Sequence, residues 1–186
     1  MDEQKFSSIW NCKSPSYLPP GIISPYGVAP ENVMVADKMV QTRESFEWMI
    51  NYADRVNPKI VLEIGTGKGV ACLFYDAIAG YDGLIITINI SDQIDMDVNN
   101  IKSECHRLIM DSSTPEALEA VKGILGERQV DFLFIDGEHG LWVEGVHDPV
   151  PFSNDFNNYW PLVRSGGVAA FHDCDAGNEI RRTFDR

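Results

Sequence analysis

"KIVLEIGTGKGVACLFYDAIAG", Lys59 to Gly80, decides the fold. An apolar run carries one acid, Glu63, near its end. Glycines then alternate at 65, 67 and 69, and an apolar helical pattern runs on to Gly80. The run reads as a short buried strand and the last part as a helix, with Gly80 in the position that favours a left-handed residue. Glycines between them let the chain turn tightly and let a ligand come close to the main chain. The helix that follows points its first N–H groups at whatever sits there.

The same alternation extends outward. Before this unit, Phe46, Met49, Ile50 and Ala53 recur at i, i+3, i+4 and i+7, one face of a helix that Pro58 closes. After it come the strand "GLIITINI", a weaker helical segment "MDVNNIKSECH" and the short strand "RLIMD". "TPEALEAVKGIL" opens with Thr114 as cap and Pro115 in the first turn, and its Ala117, Leu118, Val121 and Leu125 share a face. "VDFLFID" is a strand, "NDFNNYWPLV" after it is helical, "SGG" turns into the strand "VAAFHD", and "NEIRRTFDR" starts a last helix. Strands that are solid apolar runs, alternating with helices, predict an α/β doubly wound, mostly parallel sheet covered on both faces. Residues 1–40, rich in Pro, Ser and Gly up to about residue 30, read as an irregular lead-in, and residues 41–186 as one domain.

Bulk properties narrow the function. The 186 residues are 44% apolar and 23% charged, which suits one globular domain. A net charge of −13 argues against nucleic acid and anionic membrane as partners. Cys12, Cys72, Cys105 and Cys174 form no CxxC pair and read as reduced thiols of a cytoplasmic protein. No signal core or membrane-length apolar run is visible.

In a parallel α/β sheet, ligands sit beyond the carboxyl ends of the strands. There this chain puts Glu63, Gly65, Thr66 and Gly67, then Asn89 and Asp92, then Asp111 and Ser112. The spacing G-x-G-x-G is neither the dinucleotide fingerprint nor a P-loop. Taken alone it fits a nicotinamide, a flavin, S-adenosylmethionine or a purely structural turn, and Asp111-Ser112 also fits a helix-capping loop. Asp136 and His139 follow the fourth strand; His172, Asp173 and Asp175 follow the fifth. Carboxylates beside imidazoles are candidates for holding Mg²⁺ or a softer divalent ion, or else for capping loops. His147-Asp148 and Trp142 lie in the loop between, as solvated polar groups and cover or as substrate contacts.

"VLEIGTGKG", "IMDSS", "DFLFIDGEH" and "YWPLVRSGGVAAFHD" together resemble class I S-adenosylmethionine-dependent methyltransferases. Within that class the chain resembles the group of sugar and macrolide O-methyltransferases and cephalosporin hydroxylase-like proteins, from about Gln41 to Asp173. The resemblance implies that Glu63, Gly65, Thr66 and Gly67 lie against the methionine arm of the cofactor. Asn89 would meet the ribose, and Asp111 and Ser112 would flank the adenine. Asp136, with His172 and Asp173, would stand where relatives hold Mg²⁺, and His139 would be the general base. Three features depart from the pattern: Asn89 replaces a ribose-binding acid, His172 replaces the first acid of a metal-binding pair, and the loop after His139 is longer. The sequence also ends soon after the fifth strand, where relatives add two more; a bare edge would invite a partner, so a homo-oligomer is one expectation.

The function this implies is methyl transfer to the hydroxyl of a small-molecule substrate. A divalent ion on Asp136 and Asp173 would lower the hydroxyl's pKa and His139 would take its proton. The alternative is a degenerate, non-catalytic methyltransferase fold acting in binding or assembly; a nicotinamide-dependent oxidoreductase is disfavoured by the glycine spacing.

Overall fold

The computed structural model describes residues 1–12, 33–34, 41–92, 101–137, 141–143, 146–148 and 150–172. Its centre is a five-stranded, wholly parallel sheet. The strands are β3 (Ile60–Ile64), β4 (Leu84–Asn89), β5 (Glu104–Ile109), β6 (Val130–Ile135) and β9 (Val163–Phe171), in the spatial order β5-β4-β3-β6-β9. The described sheet is entered in the middle at β3, is wound out to β5, crossed back past β3 to β6 and extended to β9. The reversal of direction falls between β3 and β6, so their carboxyl ends open the crevice where such sheets take ligands.

Two apolar layers cover the sheet. On one face Val61, Ile85, Phe132 and Phe134 pack against α2 (Arg43–Asp54) and α3 (Ala71–Ala79). On the other Leu62, Ile64, Ile86, Ile88, Leu133 and Ile135 pack against α4 (Pro115–Leu125) and Tyr159 of α5 (Val150–Tyr159). The predicted faces hold. Phe46, Met49, Ile50 and Ala53 are the buried residues of α2, Thr114 Oγ1 accepts from Ala117 N at 3.3 Å, and Gly80 closes α3 with φ +77°. Short antiparallel pairs, β1 (Val33–Met34) with β2 (Gln41–Thr42) and β7 (Leu141–Val143) with β8 (Val146–Asp148), lie outside the main sheet.

Four expectations fail. The N-terminal stretch is not irregular throughout, because Glu3–Cys12 forms α1. Its Phe6 and Trp10, one turn apart, are fully buried against Phe46 and Phe74, with Phe6–Phe74 centroids 5.0 Å apart. The helical reading of "MDVNNIKSECH" fails over Glu104–His106, which belong to β5. Nor is every strand a solid apolar run, since β5 lies at the edge of the described sheet and carries Glu104, His106 and Arg107. The "SGG" run is not a turn ahead of the last strand but a bulge within β9. Val163 faces Val130 and Val168 faces Phe132, so Arg164–Gly167 stand opposite Asp131 alone. Gly167 fits there because a Cβ would come within 2.9 Å of the Asp131 carbonyl oxygen. The segment "NEIRRTFDR" lies outside the described residues.

Candidate functional site

The turn after β3 is suspended from β4. The N–H groups of Gly65 and Thr66 both donate to Ile88 O, at 2.9 and 3.2 Å, and Gly69 N donates to Thr66 O at 2.9 Å. Gly65, Gly67 and Gly69 all have positive φ, +93°, +51° and +83°. Gly65 and Gly67 are glycine for different reasons. A Cβ on Gly65 would sit 1.9 Å from the Asp136 carbonyl oxygen, so the turn lies directly on the backbone that leaves β6. A Cβ on Gly67 would meet no atom of the described residues within 4 Å, so the space over that residue is left to something other than those residues. The helix α3 begins just beyond, and no described side chain caps its first N–H groups.

Glu63 is not on the surface of this turn. It is buried inside the α3 side of the sheet, where it accepts from Tyr75 Oη at 3.0 Å, Thr87 Oγ1 at 2.6 Å and Cys72 Sγ at 3.6 Å. Burial, with a smaller push from the nearby Asp136 charge, raises its pKa to about 7 against the pull of those donors. The same burial pushes the Cys72 thiol and the Tyr75 phenol well up. Thr87 Oγ1 is also in contact with Thr66 Oγ1, which ties Glu63 to the glycine turn through two hydroxyls.

The other strand ends are partly committed to their own loops. Asn89 Nδ2 donates to Ser91 O at 2.6 Å, and Asp92 pairs with Arg107 at 3.3 Å. Asp111 Oδ1 accepts from Ser113 N at 2.9 Å and from Ser113 Oγ at 2.7 Å, which closes a turn ahead of α4. Ser112 Oγ donates to Asp155 Oδ1 at 2.7 Å, and Tyr159 Oη donates to Ser112 O at 2.8 Å. Asp155 and Thr87 were not singled out from sequence. Asp155 is buried, its carboxyl is pushed up to about 6 mainly by desolvation, and its Oδ2 lies against Gly137 just beyond Asp136. The one available signal for Thr87 is that it is the only polar residue inside "LIITI"; Asp155 gives none, being one acid among many.

Asp136 and His172 meet. Asp136 N donates to Ile64 O at 2.7 Å and His172 N to Ile135 O at 3.0 Å, which extends the ladder by one step on each side. Their side chains come together with His172 Nδ1 3.0 Å from Asp136 Oδ1. Asp136, Gly65 and the turn around Gly67 thus share one edge of the sheet. His139, Asp173 and Asp175 lie outside the described residues, as does the position of the side chains of Trp142, His147 and Asp148.

Among the described residues no group of three or more His, Cys, Asp or Glu converges as a metal site. The two donors that do meet are a carboxylate and an imidazole already in contact with each other. Mg²⁺ takes oxygen ligands in near-octahedral array, and Asp173, the third residue expected to hold it, lies outside the described residues, so the described pair does not by itself make a Mg²⁺ site. The adenosyl cofactor is a better match. The turn is held from below, a position without a side chain meets no described atom within 4 Å, and a helix start that no described side chain caps adjoins it.

Comparison with known proteins bears on this edge. A family model described as a methyltransferase domain matches residues 62–174. No curated protein matches in sequence. Among solved structures, one of a Staphylococcus aureus protein provisionally assigned as a caffeoyl-CoA O-methyltransferase superposes with a TM-score of 0.54 at 17% identity. The match covers 77% of this chain and 66% of that one, so this chain spans just under two thirds of that structure's length. At that identity the likeness establishes the fold: an α/β, Rossmann-like methyltransferase sheet.

Proposed function

Because the chain belongs to the methyltransferase-domain family, whose model it matches over residues 62–174, we propose that it transfers a methyl group from S-adenosylmethionine to the hydroxyl of a small molecule. One observation carries the reading: the glycine turn, with no described atom over Gly67, shares the carboxyl edge of the sheet with Asp136 and His172.

The cofactor supplies a methyl group on a positively charged sulfur, already activated for in-line displacement. What remains for the protein is mostly alignment and one proton. Gly65 lets the turn lie on the β6 exit, and Gly67 keeps the approach to the turn clear of side chains. Thr66 lies where the methionine arm is expected, Asn89 where the ribose is, and Asp111 and Ser112 beside the adenine. Asp155 supports that last position from below by accepting the Ser112 hydroxyl.

An alcohol becomes a competent nucleophile as its proton leaves. His139 is the proton acceptor that the resemblance implies. Asp136 Oδ1, 3.0 Å from Nδ1 of His172, sets a carboxylate against that imidazole at the same edge. The small acceptor is favoured over nucleic acid by the charge of −13.

The test is methyl transfer from labelled S-adenosylmethionine to a panel of hydroxylated small molecules, each run with EDTA and with added Mg²⁺. The reading expects label in at least one ether product. Label in amine acceptors only would overturn the oxygen assignment. Activity lost in EDTA and restored by Mg²⁺ would support a divalent ion on Asp136 and Asp173, and a rate indifferent to both would overturn it. Absence of any product, with cofactor still bound, would favour the non-catalytic alternative.

A further inference from the structure

The contact between Thr66 and Thr87 has a direction, and Glu63 sets it. A threonine hydroxyl carries one proton and accepts through its lone pairs. With Glu63 ionised, Thr87 gives its proton to Glu63 Oε2 at 2.6 Å. It has none left for Thr66, so in the Thr66–Thr87 contact Thr66 is the donor. The order runs from Thr66 to Thr87 to Glu63. Both threonines are buried, at 6% and 1% exposure, so water does not readily scramble the order. Tyr75 and Cys72, the other neighbours of the carboxylate, also donate to it and reinforce the same polarity.

We propose that Glu63 is a positioning residue: its buried carboxylate orders the Thr87 and Thr66 hydroxyls in one direction, so that Thr66 offers a ligand on the glycine turn only acceptor lone pairs. The matching group on such a ligand is one that only donates, the ammonium of an amino-acid arm. This rests on the cofactor reading above, and it changes the role of Glu63. Glu63 acts on the ligand through two hydroxyls rather than by touching it. The arrangement also explains why a carboxylate is kept inside an apolar layer, where its own burial is unfavourable.

The experiment compares wild type, Thr87→Val and Thr87→Ser at pH 8, where Glu63 is mainly ionised. Valine keeps the shape and removes the relay; serine keeps the hydroxyl. Calorimetry measures the affinity of each for S-adenosylhomocysteine, which has the ammonium arm, and for methylthioadenosine, which lacks it. Thermal midpoints report on the fold. The relay predicts that Thr87→Val weakens S-adenosylhomocysteine about tenfold, the worth of one hydrogen bond to a charged group. It predicts that methylthioadenosine is barely affected and that Thr87→Ser restores the affinity. Equal losses for both ligands would mean general damage to the turn, and no loss would mean the hydroxyl is idle; either result overturns the relay. If wild type bound neither ligand, the cofactor reading itself would fall and the relay with it.

Discussion

At the scale of single residues, the two glycines of the turn separate what folding needs from what binding needs. Gly65→Ala would drive a Cβ into the backbone of Asp136 at a φ of +93°. Overlap and backbone strain together are expected to destabilise the protein by at least ~3 kcal/mol, visible as a lowered denaturant midpoint. Gly67→Ala meets no described atom and should lose only about 1 kcal/mol, for its positive φ. Its loss should appear in cofactor affinity instead. Glu63 supplies a pH signature. Its carboxyl rises from 4.5 to about 7 on folding because burial disfavours the charge. The folded protein therefore binds this proton more tightly than the unfolded chain, so the contribution is complete below about pH 4.5 and is lost as pH rises through 7. A shift of that size is worth about 3 kcal/mol. Cys72 and Tyr75 from α3, Thr87 from β4 and Asp136 beyond β6 face or influence the same carboxyl. Glu63→Gln should accordingly gain stability over wild type between pH 5 and pH 8, as measured by urea unfolding at both values. A constant difference would contradict the raised pKa.

Elements are where sequence reading succeeded and failed for identifiable reasons. β3, β4 and β6 were legible because central parallel strands are apolar on both faces, and α2 and α4 because their buried positions recur at helical spacing. β5 was not legible as a whole. An edge strand with one half-exposed face tolerates Glu104, His106 and Arg107, and those residues blur it into the segment before it. The bulge in β9 was misread as a turn because "SGG" serves either, and only the pairing with β6 decides. Around that bulge one buried acid joins three strands. Asp131 Oδ2 accepts from Lys59 N at 2.7 Å and Ile60 N at 2.8 Å, while its Oδ1 takes Arg164 Nε. Arg164 also donates to Val56 O at 3.1 Å. Asp131→Ala would strand two backbone donors and a guanidinium, and should lose about 2–4 kcal/mol in equilibrium unfolding. Asp131→Asn should recover part of that loss. The candidate site followed the same logic: its strand-end positions could be read from the order of motifs. The supports, Thr87 and Asp155, could not, because their partners are brought together only by the fold.

For the whole molecule, the sheet organises everything else: helices on both faces, a ligand edge at the carboxyl ends, and an N-terminal helix that completes one apolar layer. α1 belongs to the fold and not to a loose extension. Trp10→Ala should lose about 3–5 kcal/mol, the range for truncating a fully buried aromatic, and a value below ~1 kcal/mol would show α1 to be peripheral. Among the described residues no helix is long and apolar enough to cross a membrane. The central claim is that the edge where β3 and β6 finish receives an adenosyl sulfonium. Titration of S-adenosylmethionine into the purified protein, followed by calorimetry, tests it most directly. The account predicts saturable binding at one site per chain, weakened at least about tenfold by Gly67→Ala while the thermal midpoint stays near that of wild type. Absence of heat at millimolar cofactor, or binding indifferent to a side chain at Gly67, would contradict it.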